Sequence, residues 1–101
     1  MRYDMDKWGF IYTLGDADAP PVTTTAGSAA CQLLCMGVPS VDDGPAAARQ
    51  MLAEGVELIE LCGAFAGAGL AAVVAEVDGK VPVGAVFYGG EAATGLAGLF
   101  G

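Results

Sequence analysis

Three apolar runs of strand length, CQLLCMGV at 31–38, VELIELC at 56–62 and VPVGAVFY at 81–88, are separated by segments whose apolar spacing is helical. Strands joined through helices run parallel, because the chain must cross back over the sheet before it can start the next strand. The alternation therefore predicts an α/β fold: a small, mainly parallel sheet of about four strands with right-handed crossover helices. A chain of 101 residues supports one core and one domain, spanning the whole sequence, with a radius of gyration near ~13 Å.

The first strand is read at Lys7 to Leu14, KWGFIYTL, rich in aromatic and β-branched residues and stopped by Gly15-Asp16. Trp8, Phe10, Tyr12 and Leu14 fall on one face of it. Residues 15–29 carry two aspartates, Pro20-Pro21 and three threonines, which is loop chemistry with at most a short strand at Val22 to Thr25. Cys31 to Val38, ended by Pro39, reads as a second strand buried on both faces. Ser40, Asp42 and Asp43 are candidate caps for a helix that begins near Pro45 and closes at Gly55. In the third strand Val56, Leu58, Glu60 and Cys62 alternate with Glu57, Ile59 and Leu61. Leu70, Val73, Val74 and Val77 form a helical stripe ended by Asp78-Gly79. Val81 to Tyr88 is the fourth strand, and a short last helix carries Leu96, Leu99 and Phe100.

The chain has no histidine, and its 12 acidic residues against 4 basic ones give a net charge of −8. Histidine-based triads, dyads and metal sites are thereby excluded. Arg2, Lys7, Arg49 and Lys80 form no patch, so neither nucleic acid nor an anionic membrane is expected as a partner. Hydrophobic residues make up 54% of the sequence, much of it alanine. The longest unbroken apolar or glycine run, Gly63 to Ala75, is short of the ~20 residues of a spanning helix. Arg2 is followed by Asp4 and Asp6 with no apolar segment behind them, unlike a secretory signal, so a cytoplasmic location is expected. The 3 cysteines lack C-x-x-C spacing, and on one strand Cys31 and Cys35 would lie ~13 Å apart, too far for a disulfide. No metal or cofactor is predicted. Few charges blunt the sheet edges and much apolar surface needs cover, so a homo-oligomer is expected.

In open α/β sheets ligands collect beyond the carboxyl ends of the strands. Two loops meet that description, Glu60 to Phe65 after the third strand and Tyr88 to Glu91 after the fourth. Glu60 sits among apolar residues in a strand expected to be buried, where burial would disfavour its charged form and fit it for acid–base work. The alternative is an interface carboxylate paired with Arg49, Lys80 or a neighbouring subunit. Cys62, at the mouth of the next helix, is a candidate thiol acid or a buried inert cysteine. Glu91 is a candidate base or a helix-start acid. Gly63, Gly89 and Gly90 offer close backbone approach to a ligand, and Tyr88 a hydrogen bond, or simply an aromatic rim. Gly67 to Ala72 fits G-x-G-x-x-A, but it starts too late after its strand, and too little chain follows Glu91 for a dinucleotide domain.

The order KWGFIY, Pro39-Ser40, AEGVELIELCGAF at 53–65 and GKVPVGAVFYGGE at 79–91 resembles a family of short bacterial proteins of unknown function. The resemblance covers the first strand and roughly the last two-thirds of the chain, and implies a small single-domain α/β protein in which the two loops recur. Residues 16–30 depart from it, since the family has a longer, more polar stretch there. GVELIEL followed by GKVPVGAV is also similar to two strand–helix units of a TIM barrel, which this length cannot close. That similarity bears on which sheet edge carries the site.

The expected function is an oligomer that binds a small anionic metabolite at the ends of the third and fourth strands. Two alternatives stand beside it: an isomerase or lyase using Glu60 or Glu91 as base with Cys62 or Tyr88 as acid, and a purely structural or regulatory oligomer.

Overall fold

The computed structural model describes residues 3–100; Arg2, one of the four basic residues above, lies outside them. Five strands form one sheet: β1 Lys7–Thr13, β2 Val22–Gly27, β3 Gln32–Val38, β4 Ile59–Leu61 and β5 Val83–Ala85. Three helices complete the fold: α1 Gly44–Ala53, α2 Ala68–Val77 and α3 Ala93–Phe100. The sheet order is β2-β3-β1-β4-β5. β3, β1, β4 and β5 are mutually parallel, and β2 pairs antiparallel with β3. The α/β class holds.

The threonine-rich stretch supplies the fifth strand. β2 extends to Gly27, two residues beyond the short strand expected, and is exposed along its whole length. It lies at the sheet edge, where threonine needs no apolar cover and β-branching favours extended backbone. β4 and β5 are shorter than the apolar runs that contain them. Their pairing nevertheless continues through single bonds: Glu57 N–H to Lys7 O (2.9 Å), Cys62 N–H to Ile11 O (3.0 Å) and Val86 N–H to Leu61 O (2.8 Å).

Local signals place the helices. Ser40 Oγ accepts from the Asp42 N–H (3.2 Å), while Asp43 Oδ2 accepts from the Ser40 N–H (3.2 Å), a reciprocal cap on the turn that leads into α1. At its far end Glu54 is the C-cap, and Gly55, at φ +84°, is the left-handed residue that follows. α2 ends on Asp78, left-handed at φ 52°.

β3 crosses to β4 through α1 and β4 to β5 through α2. Both crossovers move the same way along the sheet, so both helices lie on one face and pack against each other. The core forms there, from Ile11, Leu34, Met36, Val38, Ile59 and Leu61 of the sheet against Ala47, Ala48, Met51, Val73 and Val77. Gly9 points at Met51, which fixes the side of β1 that meets α1. Trp8, Phe10 and Tyr12 therefore share the opposite face and stay half-buried. β3 is covered on one face only, which corrects the expectation of a strand buried on both. Val74 is 48% exposed, so the α2 stripe is the narrower set Leu70, Val73 and Val77. Arg49 Nη2 of α1 bonds Glu76 Oε1 of α2 at 2.9 Å. No described helix is long and apolar enough to cross a membrane.

Candidate functional site

β1 and β4 are neighbours, but the chain leaves their carboxyl ends in opposite directions. From β1 it runs toward β2 and β3; from β4 it runs toward β5 on the far side. Loops that diverge in this way leave a crevice between two parallel strands, the usual ligand position in open α/β sheets. A cleft of about 600 Å³ lies there. Thr13, Leu14 and Gly15 form one wall, and Cys62, Gly63 and Ala64 form the other. Tyr88 and Phe100 close it from the carboxy-terminal segment.

Local sequence explains each wall. β1 stops where Gly15 (φ +72°) turns the chain. β4 stops at Cys62, which opens a short 3-10 turn, Gly63–Phe65, and bonds the Phe65 N–H through its carbonyl (3.0 Å). Phe65 is fully buried and anchors this turn in the core beside Gly44 and Gly69. The β5 loop comes alongside: a Cβ on Gly63 would lie 3.3 Å from the Val86 carbonyl and 3.6 Å from the Tyr88 ring.

Three of the residues singled out from the sequence, Cys62, Gly63 and Tyr88, line the cleft. Tyr88 is 58% exposed and Cys62 half-buried. Gly89, Gly90 and Glu91 are exposed on the approach to α3 and are not part of the lining. Glu60 is exposed as well, on the helix-free face, because the helices cover the side of β4 that carries Ile59 and Leu61. Burial, the ground for giving it acid–base duty, is absent. Ala64 lay in the anticipated loop Glu60 to Phe65, whereas Thr13, Leu14, Gly15 and Phe100 were not singled out; the place of the first three follows from β1 lying next to β4. Nothing local to those residues signals that adjacency.

No side chain lining the cleft is charged, in a chain of net charge −8. Its polar groups are the Thr13 and Tyr88 hydroxyls, the Cys62 thiol and main-chain N–H and C=O groups; Leu14 and Phe100 supply apolar wall. Among the described residues no cluster of three or more cysteine, aspartate or glutamate side chains could hold a metal ion. All three cysteines are free.

Comparison with curated proteins and with solved structures finds no match. The sequence profile of a family of unknown function does match, over residues 6–101. The core, the cleft and both of its walls fall within that span, and the chain belongs to this family, DUF6506.

Proposed function

We propose that the protein binds a small metabolite in the cleft between the ends of β1 and β4, with an apolar body and one anionic group. The divergence of the two loops at that point carries the reading, since it makes a crevice without disturbing the sheet. The volume of about 600 Å³ lies in the range of small-molecule sites, roughly 300–1,000 Å³. Leu14 and Phe100 would hold the apolar body. The anionic group would take hydrogen bonds from main-chain N–H groups of the Gly63–Ala64 turn and from the Tyr88 hydroxyl. The uncharged lining favours this, because an acidic side chain there would repel the group. Acid–base catalysis by Glu60 or Glu91 has less support, as neither carboxylate lines the cleft.

Ala64 is exposed on the cleft wall, so Ala64→Trp fills the space without entering the core. A panel of phosphate, pyrophosphate and three- to six-carbon carboxylates should contain compounds that raise the melting temperature of the wild type. The variant should melt at the wild-type temperature and lose that response. An equal response in both proteins would place binding elsewhere.

A further inference from the structure

We propose that the ligand of the cleft is a short-chain monocarboxylic acid, whose carboxylate bridges the ends of β1 and β4 and whose alkyl chain lies against Phe100. This rests on the cleft being the binding site, and names the chemistry that the cleft selects.

The ladder between β1 and β4 ends with a donor left over. Gly9 N–H donates to Leu58 O at 2.9 Å, while Leu14 N–H donates to Val38 O of β3 at 2.8 Å. Odd-numbered residues of β1 therefore aim their amides at β4 and even-numbered ones at β3. The next acceptor in line for Thr13 is the Cys62 carbonyl, but the 3-10 turn takes it through the Phe65 N–H (3.0 Å). Thr13 N–H thus faces β4 with no main-chain acceptor among the described residues, and the N–H groups of Gly63 and Ala64 on the opposite wall have none either. Main-chain donors are ordinarily paired, and in a crevice that no charged side chain lines an anion is the partner that suits them. A carboxylate has two oxygens, one for each wall.

Charge selects among anions. The three described basic residues lie elsewhere. Lys7 opens β1 at the opposite end of the sheet, with its ammonium on Glu54 O at 3.1 Å; Lys80 precedes β5 at that same end; Arg49 is held by Glu76. A phosphate monoester carries a charge of about −1.5 to −2 at neutral pH and is ordinarily met by arginine or lysine. Here it would enter a chain of net charge −8 with no cation to receive it. A carboxylate brings one charge, which main-chain donors alone can hold.

The alkyl chain is placed by the rest of the wall. Phe100 lines the cleft yet is 82% exposed, and no residue of α3 is buried, so the ring has apolar area to give up to a ligand. Leu14 faces the same space from β1. Each methylene fully buried there strengthens binding by about fourfold.

The test is isothermal titration calorimetry of the full chain at neutral pH with propanoate, butanoate, hexanoate, hexyl phosphate and the neutral hexanamide. Hexanoate should bind at least tenfold more tightly than propanoate, hexyl phosphate or hexanamide. Phe100→Ala should cut the gain from propanoate to hexanoate to less than about fourfold, the worth of one methylene. Thr13→Pro deletes the free N–H without taking a main-chain hydrogen bond from the fold, and should weaken hexanoate at least tenfold with an unchanged far-ultraviolet spectrum. Should Thr13→Pro fail to fold, the ligand series and Phe100→Ala decide. Hexyl phosphate binding as tightly as hexanoate overturns the proposal, and so does affinity independent of chain length. A chain-length gain that survives in Phe100→Ala, or undiminished hexanoate binding by folded Thr13→Pro, also overturns it. The cleft itself stands in each of these cases if Ala64→Trp abolishes the binding seen, and falls with the proposal if that variant binds as the wild type does. No binding by any of these compounds overturns the proposal alone if phosphate or pyrophosphate still binds in the cleft, and both readings if neither does.

Discussion

Gly44 sets how closely α1 approaches the turn after β4. A Cβ at this position would lie 2.5 Å from the Phe65 ring and 3.1 Å from a Val73 methyl, and neither neighbour has room to retreat in a packed core. Gly44→Ala should therefore destabilise the fold by about 1–3 kcal/mol, read as a lower urea midpoint with an unchanged slope. The Arg49–Glu76 pair behaves differently. Hydrogen bonding and the charge of Arg49 hold the Glu76 carboxyl below its ordinary value. Its contribution is thus present above the ordinary glutamate range and is lost as pH falls through the lowered native value. Both side chains remain in solvent, so the effect is small and screened by salt. In low salt, Arg49→Met should flatten this part of the acid limb of a stability–pH curve, and 1 M salt should do the same to the wild type. At this scale the sequence was legible wherever the signal was local, as at the Ser40 cap and at Gly55. Glu60 was not legible, because alternation gives two faces but not which of them the helices will cover.

Two phenylalanines show what changes at the scale of elements. Phe65 and Phe100 both sit in apolar, glycine-rich segments, yet Phe65 is fully buried and Phe100 is 82% exposed. Phe65→Ala should cost about 3–5 kcal/mol. Phe100→Ala should change stability by less than about 0.5 kcal/mol while opening one end of the cleft, so the two are separated by comparing urea midpoints with ligand response. The apolar periodicity of α1 and α2 was readable because each packs along its length on the sheet or on its neighbour. The stripe of α3 was equally readable and misleading as a guide to burial, since Leu99 and Phe100 face away from the described core. β2 was nearly invisible for the opposite reason. An edge strand exposed on both sides has no apolar alternation to reveal it, and its threonines read as loop.

The class of the whole molecule followed from alternating strands and helices, but the strand order did not. Three parallel strands can be arranged around β1 in several ways, each with identical local sequence. Only the observed order sets β1 beside β4, brings Leu14 and Gly15 opposite Cys62 and Gly63, and leaves one face of the sheet without helices. The site was therefore half legible: the β4 wall and Tyr88 could be anticipated from their loops, and the β1 wall could not. The most direct measurement of the cleft is a 15N-labelled amide titration with phosphate and with small carboxylates. Binding between the two strand ends predicts saturable shifts confined to Thr13, Leu14, Gly15, Gly63, Ala64, Tyr88 and Phe100. Shifts that centre on any other part of the sheet, or none with any member of the panel, would contradict it.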